Sequence, residues 1–135
     1  MIHVIMGLKG TGKTKQLIDG INEAVSSSSG NVVCIEYGKK LVYDVTHKAR
    51  LIDSQECGIQ SAEMLKGFLS GLHAGNYDIS HVFIDNLYKT IGSDLGAAED
   101  FISWAAAFSE ANSVEVTVTL SEDPEKASDE LKKYL

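Results

Sequence analysis

Residues 7 to 14 read Gly-Leu-Lys-Gly-Thr-Gly-Lys-Thr and directly follow the apolar run Ile2-His3-Val4-Ile5-Met6. Glycine lets a backbone turn tightly and brings successive N–H groups to face a single anion. The spacing G-x-x-x-x-G-K-[ST] is that of a phosphate-cradling loop when a strand precedes it and a helix follows. Residues 2 to 6 suit a strand covered on both faces, as in a parallel sheet. From Thr14 to Val25, Leu17, Ile18, Ile21, Ala24 and Val25 fall at helical spacing. In that setting Gly7, Leu8, Lys9, Gly10, Thr11, Gly12, Lys13, Thr14 and Lys15 would hold the phosphates. Lys13 would reach the outer ones, and the Thr14 hydroxyl would bind Mg²⁺. The helix beginning at Lys13 would turn its positive dipole end to the same anion. A solvated glycine-rich turn explains neither the glycine spacing nor the lysine–hydroxyl pair.

The rest of the chain reads as further strands and helices. Val32 to Ile35 is a buried strand closed by Glu36-Tyr37-Gly38, after a polar turn at Ser26 to Gly30. Leu41 to Val45 and Ala49 to Asp53 read as two short strands. Ser61 to Ala74 carries Met64, Leu65, Phe68, Leu69 and Leu72 on one helical stripe. Val82-Phe83-Ile84 is a strand ending in Asp85. Asp94 to Ala111 is helical, with Phe101, Ile102, Ala105 and Phe108 on one side. Val114 to Leu120 alternates strictly, which predicts a half-buried strand. Asp123-Pro124 reads as an N-cap followed by proline at the first position of a last helix. This order predicts an α/β fold, a three-layer α/β/α sandwich with a mostly parallel sheet of about five strands. Residues 1 to 135 suit a single domain, and neither a repeat nor an interdomain linker is visible.

Asp85 is the second candidate for the chemistry. An apolar strand ending in aspartate resembles a Walker B element, whose carboxylate holds the Mg²⁺ shell with Thr14. The next residue is Asn86 where many ATPases have a catalytic glutamate, and an amide is a poor general base. Glu36 is the substitute, because it ends another strand on the same edge of a parallel sheet, where ligands bind. A solvated strand-end carboxylate is the competing reading, and Asp44 and Asp53 are weaker candidates. Thr119 or Ser121 would sense the outermost phosphate if their strand lies beside the glycine-loop strand. Tyr37 and Tyr88 follow strands and either stack on a base or cover the sheet end. The four histidines are dispersed, and Cys34 and Cys57 lack a zinc-ligand spacing.

Composition narrows the partners. Twelve basic residues against nineteen acidic give a net charge of −7, which argues against broad binding to nucleic acid or anionic membranes. No apolar run is long enough to span a bilayer, and Met1-Ile2-His3 lacks the basic region of a signal peptide. A cytoplasmic protein is expected.

The glycine loop, the Val-Phe-Ile-Asp strand and the α/β order together resemble the P-loop NTPase superfamily over most of the chain. From Met1 to Asp85 the chain looks somewhat like the core of bacterial-type thymidine kinases. It departs from them at Asp85-Asn86-Leu87-Tyr88, where they carry Asp-Glu-Ala-Gln. Their zinc subdomain and thymidine-gripping lasso also have no counterpart after Leu120. Partitioning-type ATPases carry an extra lysine directly after the first glycine, where this chain has Leu8, with Lys9 one residue later. Pilus and secretion motor ATPases share only the loop.

The reading that follows is a protein binding ATP (or GTP) with Mg²⁺. Lys13 and Glu36 are its candidate catalytic residues. Hydrolysis would be weak, or would need groups from a partner protein or a second copy in a homo-oligomer. The only arginine, Arg50, is not placed as a finger. The alternatives are a small-molecule or nucleotide kinase, with residues 37 to 60 as its only room for an acceptor pocket, and a non-catalytic nucleotide-gated interaction module. The absence of a guanine-reading motif favours ATP.

Overall fold

The computed structural model describes all 135 residues. The chain runs β1 (Ile2–Gly7), α1 (Lys13–Ser27), β2 (Asn31–Glu36), a 3-10 turn (Lys40–Tyr43), β3 (Arg50–Asp53), α2 (Ala62–Gly75) and β4 (Ile79–Ile84). It continues with α3 (Leu87–Ile91), α4 (Leu95–Asn112), β5 (Glu115–Ser121), a second 3-10 turn (Pro124–Lys126) and α5 (Asp129–Lys132). The five strands form one sheet in the order β1-β5-β4-β2-β3, and every neighbouring pair is parallel. The expected α/β class is observed, and the sheet is wholly rather than mostly parallel.

Side chains alternate across a strand, so β2 divides the core. Val33 and Ile35 join a large cluster with Leu65 and Leu69 of α2 and Phe101, Ile102 and Ala105 of α4. Val32 and Cys34 join a smaller one with Leu17, Ile21 and Ala24 of α1. Helices therefore cover both faces of the sheet. Ser61 and Asp94 cap α2 and α4, their side chains accepting the N–H groups of Met64 and Ala97. Each cap satisfies a donor that the helix itself leaves open.

Several expectations give way to tertiary effects. Leu41 to Val45 is not a strand but begins as a 3-10 turn. Leu41 and Val45 are buried while Val42 and Tyr43 face water, a spacing of four rather than two. The Glu36 carboxylate accepts the N–H groups of Lys40 and Leu41 and so turns the chain. β5 is not half-buried. It lies between β1 and β4, and Val118, Thr119 and Leu120 are all buried. β1, expected to be covered on both faces, is an edge strand with His3 exposed and Ile5 half-buried. Its open side is met by the C-terminal segment, where Tyr134 accepts the Val4 N–H at 2.8 Å. Asp123-Pro124 opens a 3-10 turn only, and α5 starts later, capped by Ser128. The short helix α3 gave no periodic signal, because five residues are too few for a stripe.

Candidate functional site

Pairing registers align the carboxyl ends of the strands. Gly7 lies opposite Ser121, Ile84 opposite Val118, Ile35 opposite Ile84, and Glu36 opposite Asp53. The glycine loop, Ser121, Asp85, Glu36 and Asp53 therefore stand along one edge, in sheet order. In parallel α/β sheets this edge forms the ligand crevice.

The loop between β1 and α1 depends on its glycines. Gly10 and Gly12 have φ of 85° and 83°, a conformation that side-chain-bearing residues rarely adopt. A Cβ at Gly7 would stand 2.6 Å from the Thr11 hydroxyl oxygen. That hydroxyl donates to the Leu8 carbonyl at 2.8 Å, and the Lys13 ammonium donates to the same carbonyl at 2.9 Å. Lys13 is the first residue of α1 and only 8% exposed. Burial lowers its pKa, and the Asp85 carboxylate partly offsets the shift. Lys13 and Asp85, from opposite sides of β5, thus act on one another. Thr14 is exposed in the first turn of α1, and Lys15 leans away from the loop onto Asp19 at 3.3 Å.

Asp85 is held by β5. Thr119 is 1% exposed and spends its hydroxyl twice. It donates to Asp85 Oδ1 at 2.8 Å and accepts the Asn86 N–H at 2.6 Å. β5 does lie beside the glycine-loop strand, but Thr119 orients Asp85 and Asn86 instead of facing the crevice. Asn86 has φ of 53°, so the chain swings sharply out of β4 into α3. Asparagine tolerates this left-handed region better than most residues.

Glu36 is 4% exposed, and its two oxygens accept the Lys40 and Leu41 N–H groups at 3.2 and 2.9 Å. Burial raises its pKa against the pull of those two bonds, and the Asp85 and Asp53 charges raise it further. Asp53 is also engaged, accepting the Gly38 and Gln55 N–H groups at 2.8 and 2.9 Å. The Gly38 bond is the first cause of its lowered pKa. Asp44 is exposed at the end of the first 3-10 turn. Beside Glu36 and Asp53 lies a cavity of about 300 Å³, lined also by Val42, Leu51 and the Lys39–Glu56 ion pair.

Two lysines escaped the sequence reading. Lys40 and Lys89 follow β2 and β4 at this edge, in the first 3-10 turn and in α3. Contact with Lys40 holds Lys89 below the usual lysine range, helped by partial burial and by Lys9, while Asp85 acts the other way. Isolated exposed lysines carry no periodic or motif signal, so nothing in the sequence marks the pair. Tyr88 donates to Glu122 at 2.8 Å and so covers the sheet end. Nowhere in the chain do three His, Cys, Asp or Glu side chains gather as a metal site. No helix is long and apolar enough to cross a membrane. No protein-family model matches the chain, and no curated protein matches it.

Proposed function

We propose that this chain is a minimal P-loop protein that binds a nucleoside triphosphate, ATP before GTP, together with Mg²⁺. The observation that carries the reading is the glycine loop between β1 and α1, with Gly10 and Gly12 at positive φ and Lys13 buried at its base in electrostatic range of Asp85. A loop of this kind turns N–H groups and one ammonium toward a single polyphosphate. The donor set suits Mg²⁺: the exposed Thr14 hydroxyl and the Asp85 carboxylate are hard oxygen ligands, and phosphate oxygens and water complete such a shell. Bound Mg²⁺ neutralises charge on the phosphates. Nucleoside triphosphates are held in the cytoplasm, which agrees with the expected location.

Hydrolysis by the chain alone is slow in this reading. Asn86 cannot take a proton. Glu36 would have to release two backbone hydrogen bonds to act as a base. A partner protein or a second copy would then supply what is missing. The cavity beside Glu36 favours a second reading, phosphoryl transfer to a small acceptor. It lies within residues 36 to 56, and its volume of about 300 Å³ is at the lower end of small-molecule sites.

Calorimetric titration with ATP, GTP and ADP, with and without Mg²⁺, tests the proposal. Lys13→Ala is expected to weaken ATP binding about 10- to 100-fold, the worth of a charge-assisted hydrogen bond to phosphate. Thermal melting checks that the variant is folded. Binding that ignores this substitution would remove the site. Adding nucleoside acceptors to a phosphate-release assay separates transfer from hydrolysis.

A further inference from the structure

We propose that the groove between α2 and the amino ends of β2, β3 and β4 is a second binding site. Its ligand is a small organic anion, a carboxylate or phosphate head on an apolar body. The groove lies at the opposite edge of the sheet from the glycine loop, and the proposal is independent of the nucleotide-binding reading.

A cavity of about 490 Å³ is lined there by Asn31, Arg50 and Ile79, the first residues of three strands, by Lys48 just before β3, and by Gly71 and Leu72 of α2. Its volume falls in the range of small-molecule sites, about 300–1,000 Å³. No carboxylate lines it, although acidic residues outnumber basic ones nineteen to twelve in the chain. Lys48 and Arg50 take part in none of the ion pairs of the structure. Arg50 stands opposite Val33 in the β2–β3 register, and Val33 packs on the α2 side, so the Arg50 side chain leaves the sheet on the face that holds the cavity. The Asn31 amide is fixed as well. Its oxygen accepts the Asn76 NH2 group at 3.0 Å, and the Asn76 oxygen accepts the Asp78 N–H at 3.0 Å. The NH2 group of Asn31 is left to donate to a ligand.

These groups select the ligand. Guanidinium, ammonium and amide NH2 all donate, and a guanidinium meets a carboxylate or a phosphate through two parallel hydrogen bonds. Val33, Leu72 and Ile79 belong to the large apolar core or pack against it, and they give the cavity a wall for an apolar body. α2 supplies the room. Gly71 sits inside the helix and Gly75 ends it, neither at positive φ, and a Cβ on either would meet nothing within 4 Å. Glycine destabilises a helix relative to alanine, and here neither backbone conformation nor close packing calls for it. The two glycines instead keep the cavity open between α2 and the free cations.

The test follows the backbone amides of the protein by nitrogen–proton correlation NMR during titration with phenyl phosphate, phenylacetate and benzyl alcohol, the last as an uncharged probe of similar body. Saturable shifts at Asn31, Arg50, Gly71 and Ile79 are expected with at least one of the two anions, and which one tells a phosphate head from a carboxylate head. The double variant Lys48→Met, Arg50→Met is expected to bind that anion about 10- to 100-fold more weakly, since charge-assisted hydrogen bonds are lost. Gly71→Leu fills the cavity and is expected to abolish binding with no fall in melting temperature. The proposal is overturned if neither anion shifts these amides, or if the shifts are confined to the glycine loop. It is equally overturned if benzyl alcohol binds as tightly as the anions, or if the double variant keeps the wild-type affinity. That variant changes only exposed side chains, so it decides the matter even if Gly71→Leu fails to fold.

Discussion

Replacing Thr119 by valine keeps the shape of the side chain and removes one oxygen that makes two hydrogen bonds. The Asn86 N–H loses its acceptor on the buried Thr119, and because Asn86 is half-buried the loss falls in the lower part of the about 1–3 kcal/mol that an unsatisfied donor costs. Asp85 loses a bond to its carboxylate. It is half-buried, so water takes over much of that contact and the loss falls to about 1 kcal/mol. Valine regains about 0.8 kcal/mol through the added apolar burial. The net expectation is a destabilisation of about 2 kcal/mol. With a urea dependence of about 1.5 kcal/mol per molar for a domain of this size, the unfolding midpoint should fall by about 1.3 M. Thr119→Ser keeps the hydroxyl and loses a methyl group, so it should cost about half as much or less. Equilibrium urea unfolding of the three proteins decides the matter. A valine variant within about 0.5 kcal/mol of the wild type would refute the reasoning, since ordinary surface changes have that effect. A serine variant as damaged as the valine variant would also refute it, because packing and not the hydroxyl would then matter.

Gly12→Ala places a side chain at φ of 83° and should cost about 1 kcal/mol in urea unfolding while weakening ATP binding; equal stability would mean that the loop relaxes freely. Glu36→Gln probes pH dependence. Burial raises Glu36 above its ordinary value of 4.5, so its contribution to stability is full below that pH and is lost as pH rises through the higher folded value. Glutamine does not titrate, and it sets an amide NH2 where one of the two oxygens accepted a backbone N–H, so the variant is less stable overall but declines less across that window. An unaltered slope of stability against pH would show that Glu36 does not titrate there.

The readable parts of this protein are those whose signal is local. Gly10 and Gly12 adopt positive φ because a turn this tight requires it, and glycine is the residue that accepts it. The helices from Ser61 and from Asp94 were legible through the spacing of their apolar residues, and those two side chains cap them. Asp85 was legible because it ends an apolar run. The errors have equally physical sources. Leu41 to Val45 looked extended because β-branched and aromatic residues favour strands, but a carboxylate five residues earlier captured its backbone. β5 looked half-exposed because threonine counts as polar in an alternation, whereas Thr119 is buried with its hydroxyl fully used.

The sequence by itself determined that a glycine loop followed by lysine and threonine lies between a strand and a helix, and that the chain alternates strand and helix into a parallel sheet. Those properties reside in backbone conformation and in the spacing of neighbours along the chain. Strand order was decided by tertiary structure alone, and with it the insertion of β5 between the loop and Asp85. That insertion lets Thr119 orient the carboxylate and sets the reach from Lys13 to Asp85. The burial of Glu36 against the Lys40 and Leu41 N–H groups was decided there as well. A carboxylate's identity carries no direction, and only packing determines which donors it meets.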